Sequence, residues 1–257
     1  MQVCFGMSLL PEYSVIVPAY EARATVSEAV ASALETRVRV EVIVVDDGST
    51  QPVLQKDLPG GPVRLVRRFA NGGSARARND GIDACEGAWV AFLDADDLYA
   101  PYRLDAVDAF LRTVGVDGVM TDTWMSFDDG TRRLIRPKAS LSGLLGLRCA
   151  PIFASLVVRR DVLRAVGPFD PRWAIQEDSD MWLRLLRHRA RIRQLQGASY
   201  VYRVHGSSKV HRAGGQAQSK EFASIWFRQL LAPSWSLWER AILLRQGLRH
   251  ARAAGGR

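Results

Sequence analysis

At 257 residues the chain is long enough for one large α/β domain with a sizeable core, and its 47% hydrophobic content is that of an ordinary globular protein. No apolar run approaches the roughly 20 residues of a membrane span, and Met1 to Leu10 lacks the basic start and cleavage pattern of a signal peptide. The net charge of +8 is uneven: residues 1–202 carry 25 basic and 25 acidic residues, while 203–257 carry 10 basic and 2 acidic. The excess is therefore a local feature of the C-terminal part. Cys4, Cys85 and Cys149 are few and scattered, which points to reduced thiols rather than a disulfide framework or zinc site.

In chain order, Tyr13 to Pro18 reads as a short buried strand closed by proline. Glu21 to Glu35 carries Val26, Val30, Ala33 and Leu34 at helical spacing. Val40 to Val45 is a second buried strand running into Asp46-Asp47-Gly48-Ser49-Thr50, and Pro62 to Arg67 a third. Ser74 to Cys85 reads as a helix entered from Asn71-Gly72-Gly73. Ala88 to Leu93 is an apolar run of the kind found in parallel sheets. A helix starts from Pro101, a residue suited to a first turn. Asp117 to Phe127 and Thr131 to Arg136, joined at Asp128-Asp129-Gly130, predict a hairpin. Ser155 to Val158 is a further strand. Gln176 to His188 is a helix with acidic residues in its first turn, where the dipole favours them. Strand–helix alternation over the first half predicts a parallel sheet built by right-handed crossovers.

The chemistry concentrates at Asp94-Ala95-Asp96-Asp97, where an apolar strand ends in three carboxylates within four residues. Ligands of open α/β sheets bind beyond the carboxyl ends of the strands. Carboxylates there offer oxygen ligands for Mg²⁺ or Mn²⁺ shared with a substrate's phosphates. The loops at Pro18-Ala19-Tyr20, Asp46 to Thr50 and Asp94 to Asp97 converge on one sheet edge and supply a ring, acceptors and metal ligands. That inventory suits a nucleotide diphosphate. With neither G-x-G-x-x-G after the first strand nor G-x-x-x-x-G-K-[ST] anywhere, a Rossmann cofactor site or a P-loop is not expected.

Six segments, in order, resemble the family 2 glycosyltransferases of GT-A fold. They are Val15 to Tyr20, Val45 to Thr50, Ser74 to Gly81, Phe92 to Asp97, Glu177 to Leu185 and Tyr202 to Ser208. The resemblance implies a Rossmann-like α/β fold, a mixed, mainly parallel sheet flanked by helices, with a C-terminal helical extension. It implies an inverting transfer of sugar from a nucleotide sugar, most often a UDP-sugar, with Mg²⁺ or Mn²⁺. By the same resemblance Pro18, Tyr20, Asp46, Asp47, Arg76, Arg78, Asp94 and Ala95 line the nucleotide sugar, with Asp47 facing uracil. Asp96 and His205 are metal contacts, and Asp178 is the catalytic base. Trp173 and Glu177 are candidates for the acceptor side.

Each of these residues also has a plainer reading. Asp178 suits a helix cap, His205 an ordinary loop polar residue, Tyr20 core packing, and Arg76 and Arg78 a solvated helix face. The alternative function is a nucleotide- or glycan-binding subunit that has lost turnover. The implied organisation is an extension at 1–12, a catalytic domain at 13–210 and a basic amphipathic extension at 211–257. In that extension Phe222, Ile225, Trp226 and Leu230 share one stripe. Leu237, Ala241, Leu244, Leu248 and Ala251 share another, beside Arg245, Arg249 and Arg252. The extension either packs on the domain or on a second subunit, or touches an anionic membrane that presents a lipid-linked acceptor. Nucleic acid is not expected, because no recognition fold accompanies the charge. These readings make the protein cytoplasmic, at the inner face of the membrane if the extension contacts lipid.

Overall fold

A computed structural model describes residues 10–137, 152–206 and 209–255. Ser207 and Ser208 of the last motif, Cys4, Cys149 and most of the 1–12 extension lie outside the described residues. Cys85 is a buried free thiol whose pKa is pushed up by burial.

Four strands form the parallel half of the sheet: β1 (Tyr13–Ala19), β2 (Val40–Asp46), β3 (Val63–Arg67) and β4 (Trp89–Phe92). They lie in the order β3-β2-β1-β4, all parallel. The crossovers are α1 (Val26–Leu34) between β1 and β2 and α2 (Ser74–Ala84) between β3 and β4. The first helix begins later than its apolar spacing predicts, because Glu21 takes a left-handed φ of 51° and residues 22–25 form turns. Pro18 is tolerated in central β1 for a specific reason. Its nitrogen faces β4, and that ladder ends at Ile16 and Phe92.

Beyond β4 the sheet becomes mixed. β6 (Gly118–Phe127) and β7 (Arg132–Ile135) form the expected hairpin, turning at Gly130 with φ 82°. β8 (Leu156–Arg159) joins β4 to β6, antiparallel to both. β9 (Ile192–Val204) runs parallel along β6 and pairs with the two-residue β5 (Leu98–Tyr99). The remaining helices are α3 (Arg103–Leu111), α4 (Arg160–Val166), α5 (Glu177–Arg187), α6 (Lys209–Leu230) and α7 (Leu237–Ala254).

The core lies on both faces of this sheet. Phe92, Phe153, Phe169 and Trp182 form an aromatic chain with centroid separations of 5.1 to 5.8 Å, tying β4 to α5. The expected boundary at residue 210 falls inside α6. That helix sends Ala223, Ile225 and Trp226 into the core, so its C-terminal half is built into the domain. In α7 the expected apolar stripe faces outward instead: Leu243, Gly247 and His250 are buried, while Leu237, Leu244 and Leu248 are exposed. Among the described residues no helix is long and apolar enough to cross a membrane.

Candidate active site

The parallel register aligns Ala19 with Asp46, so the loops after β1 and β2 leave the same edge of the sheet. β4 delivers the acidic loop beside them. Asp46 is fully buried and organises the second loop. Its Oδ1 accepts from the N–H and hydroxyl of Ser49 at 3.1 and 2.6 Å, and its Oδ2 from the N–H of Val53 at 3.3 Å. Glu21 clasps the first loop to the second, its carboxylate accepting from the N–H and hydroxyl of Thr50, both at 2.7 Å. Those bonds hold the Glu21 pKa below the usual carboxylate range. Gly48 is required by a φ of 73° and by contact, since a Cβ would lie 2.5 Å from the carbonyl carbon of Ala70.

Asp47 is also buried. It accepts the N–H groups of Gly72 and Gly73 at 2.9 and 2.7 Å and forms an ion pair with Arg68 at 2.8 Å. It thus pins the glycine turn at the start of α2 as well as standing at the edge expected to receive the base. Pro18 is half-buried and Tyr20 half-exposed at the end of β1. Arg76 is exposed, its side chain lying back over Gly72.

Arg78 is no solvated-face residue. It is buried in α2, its Nη1 donating to Glu177 at 2.7 Å and its Nη2 to Asp94 at 3.0 Å, with the guanidinium over the Phe169 ring. Burial disfavours its charge, but Asp94, Glu177 and Asp178 outweigh that and raise its pKa. Glu177, expected on the acceptor side, is buried and bonded to Arg78 and to the Ser74 hydroxyl. Asp94, Arg78 and Glu177 therefore form one chain from β4 through α2 to α5.

The acidic loop is held from β9. The Tyr200 hydroxyl donates to Asp97 at 2.6 Å and accepts from the N–H of Asp94 at 3.3 Å, while the N–H of Arg203 donates to Asp97 at 2.7 Å. Asp97 is buried, and burial followed by the charge of Asp94 raises its pKa well above normal. Asp94 is raised by burial and Asp96, with Arg78 opposing. Ala95 is buried. Asp96 faces His205, Oδ2 to Nε2 at 2.9 Å.

Asp178 is half-buried in the first turn of α5, where its carboxylate accepts the N–H of Ser179 at 2.6 Å. Its neighbour Asp180 is buried, bonded to Arg184 at 2.8 Å and to Gln229 of α6 at 3.1 Å. Trp173 is half-buried and packs on the core. The hydroxyl of Tyr202 is pushed up to about 12 by burial, then by Asp97, Asp94, Asp96 and Asp178. The charge of Asp178 thus bears on the same tyrosine as the charges of the acidic loop.

The sequence reading assigned no role of its own to Tyr200, Tyr202 or Asp97, although Asp97 stands in the acidic loop and Tyr202 opens the last motif, nor to Glu21 or to Glu221, which accepts from the turn before α5. The first three depend on β9, whose alternation Ile192, Gln194, Tyr200, Tyr202 was available but is broken at Gly197. There φ is 116° and the β6 register shifts.

A glycosyltransferase of Nostoc sp. is 32% identical over 228 residues, 82% of this chain and 70% of that protein. The succinoglycan biosynthesis protein ExoO of Rhizobium meliloti is 39% identical over 117 residues; these are 43% of this chain but 34% of ExoO. Among solved structures, a fragment of S. aureus TarS superposes with a TM-score of 0.71 at 20% identity, covering 94% of this chain and 72% of that one. The mannosyltransferase PcManGT of Pyrobaculum calidifontis gives 0.64 at 19% identity, over 97% and 77%. These two likenesses show the fold, that of GT-A glycosyltransferases. The model of Glycosyl transferase family 2 matches residues 14–155, more than half of the chain, and the chain belongs to that family.

Proposed function

We propose that this glycosyltransferase is catalytically active and moves a sugar, with inversion, from a UDP-sugar to a hydroxyl of a glycan or lipid-linked acceptor. The observation that carries the reading is the meeting of two sets of groups. Asp94 and Asp96, bound to Arg78 and His205, stand where the donor loops converge. Asp178 stands next in α5 to Glu177, which shares Arg78 with Asp94. A uridine donor is supported by TarS, solved with UDP and with UDP-GlcNAc; PcManGT, solved with GDP-Man and Mn²⁺, makes a guanosine donor the alternative to test. The match to ExoO supports a glycan product.

Among the described residues no three His, Cys, Asp or Glu side chains cluster as metal ligands. Asp96 and His205 are nevertheless two donors 2.9 Å apart, and Mg²⁺ typically takes one or two carboxylates plus substrate phosphates. The pair fits Mg²⁺ or Mn²⁺ on those terms. Such an ion supplies charge stabilisation to the departing diphosphate without proton transfer.

The chain's own groups do the rest. Arg78 fixes Asp94, the proposed contact to the donor ribose, and Asp46 and Asp47 hold the two loops that would enclose the base. Glu177 positions Arg78, so the carboxylate of α5 left to act as base is Asp178. It takes the proton of the acceptor hydroxyl as that oxygen attacks from the face opposite the leaving diphosphate. Help of this kind is typically worth ~10²–10⁴-fold. Trp173, at the approach to α5, is the proposed acceptor-side ring. The catalytic unit on this reading runs from residue 13 through α6.

The test is a donor screen, measuring sugar–nucleotide hydrolysis and thermal shift across UDP-, GDP- and dTDP-sugars with Mn²⁺. Selective stabilisation and turnover with a UDP-sugar is expected. Stabilisation without turnover of any donor, acceptor mixtures included, would favour the inactive binding subunit.

A further inference from the structure

The two sides of α7 differ in kind. One is the packing side: Leu243 is fully buried, His250 stacks on Phe222 of α6 at 4.7 Å, and Gly247 lies so close to Phe227 that a Cβ there would be 2.9 Å from its ring. The other side carries exposed apolar residues, Leu237 87% and Trp238 74% accessible and Leu244 and Leu248 45% each, with Trp238 projecting on the side of the arginines. At 100° per residue, Leu237, Ala241, Leu244 and Leu248 fall on one strip. Exposed Arg245, Arg249 and Arg252 fall on the strip alongside.

This outer face contains no carboxylate. The single acidic residue of α7, Glu239, is drawn to Arg189 at 2.6 Å and closes the capping box with Ser236. Three other cations of the C-terminal part are engaged: Arg203 with Glu28, Arg228 with Asp170, Arg240 with the carbonyls of Leu230, Ala232 and Trp235. Among the described residues Arg245, Arg249 and Arg252 make no ion pair. Three cations of the basic C-terminal part and the exposed apolar strip thus coincide on one helix face.

We propose that this outer face of α7 lies on an anionic lipid surface. The leucines and Trp238 enter the boundary between headgroups and acyl chains, and the three arginines meet lipid phosphates. An apolar strip flanked by a cationic one, with an aromatic residue at its end, is what an in-plane interfacial helix presents. A second copy of this chain fits the face poorly. An antiparallel two-fold contact through it would set one arginine row near the other, and a parallel one would leave both rows with no carboxylate of α7 to meet. The proposal goes beyond the glycosyl-transfer reading and does not depend on it, because binding is measured without donor or acceptor.

The experiment is flotation of the full chain with phosphatidylcholine–phosphatidylglycerol vesicles and with pure phosphatidylcholine vesicles, at low and high salt. Binding to the anionic vesicles, weakened by salt, is expected. The variant Arg245→Glu/Arg249→Glu/Arg252→Glu should lose affinity on the order of 10²-fold or more, since each basic residue near the surface contributes about a factor of five. Leu244→Gln/Leu248→Gln should weaken binding at both salt concentrations. Circular dichroism should show both variants folded, because every altered side chain is exposed. Absence of wild-type binding, equal binding to uncharged vesicles, or wild-type affinity in the triple variant would overturn the proposal. So would a wild-type dimer in sedimentation velocity that Leu244→Gln/Leu248→Gln converts to monomer, which would assign the face to a second copy.

Discussion

The carboxylate of Glu221, midway along α6, accepts the backbone N–H of Ile175 at 2.9 Å, and with it those of Ala174 and Gln176 at 3.0 Å each. Three donors at the start of α5 are thereby satisfied by a side chain more than forty residues away, where Gln176 supplies no side-chain cap of its own. Asp178 stands two residues beyond Gln176. Glu221→Ala should therefore cost about 1–3 kcal/mol in urea unfolding, the loss of a charged cap. Because it loosens the turn that aims Asp178, it should lower kcat more than it changes the donor KM. A donor KM that rises while kcat holds would place its effect in the nucleotide pocket instead.

Asp178 and Asp180 share the first turn of α5 but have different surroundings. Asp178→Asn should fold normally, bind UDP as the wild type does and lose transfer by a factor of ~10²–10⁴, the usual size of general-base help. Asp180→Asn should act on stability, weakening the bonds to Arg184 and Gln229, and leave turnover per folded molecule near normal. Transfer assays paired with thermal melts separate the two. Full activity in Asp178→Asn would remove it as base.

Arg78 bridges Asp94 and Glu177 from a buried position. Removing one member of such a group leaves uncompensated buried charge, so Arg78→Met should destabilise by about 3–5 kcal/mol. Adding Glu177→Gln should recover part of that loss. Additive losses in the double variant, read from urea midpoints, would mean that Arg78 and Glu177 are not coupled.

If Asp96 and His205 share an ion with the donor, UDP should raise Tm strongly with Mn²⁺ and weakly without it. Asp96→Asn should abolish the difference. Calorimetric titration that gives the wild type equal UDP affinity with and without metal would count against the metal role of both residues.

The Glu239 carboxylate makes part of the protein's stability depend on pH. Its bonds to Arg189 and Ser236 hold its pKa down at about 2, below the unfolded value of about 4.5. A depressed carboxylate stabilises above its unfolded pKa, and that stability disappears as pH falls towards the folded value. Glu239→Gln should therefore cost about 1 kcal/mol at neutral pH, as for a cap plus a largely solvent-screened pair. The gap between variant and wild type should narrow as pH is lowered from 5 towards 3. A gap constant across that range would assign the loss to packing.

The parallel half of the fold was legible because buried parallel strands are continuous apolar runs, and their loops must leave one edge. Asp46, Asp47, Asp94 and Asp96 follow from that rule together with the motifs they sit in. The β6–β7 hairpin was equally readable, since Asp128-Asp129-Gly130 states its own turn. β9 was not, because the bulge at Gly197 shifts the register and hides a period of two. With β9 went Tyr200 and Tyr202, which hold or face the acidic loop.

What the sequence determined by itself is local: which segments are buried, which turns they end in, and which carboxylates those turns present. Tertiary structure alone decided pairings between distant segments. Arg78 meets Glu177 across 99 residues, and His205 meets Asp96 across 109. The face of α7 is the sharpest case. Leu237, Leu244 and Leu248 make the clearer apolar stripe, yet Leu243, Gly247 and His250 are buried. Phe222 and Phe227 of α6 offer a flat aromatic surface that a glycine and a stacked imidazole can approach closely. Periodicity reports how much apolar surface a helix carries; the shape of the neighbouring helix decides which part is covered.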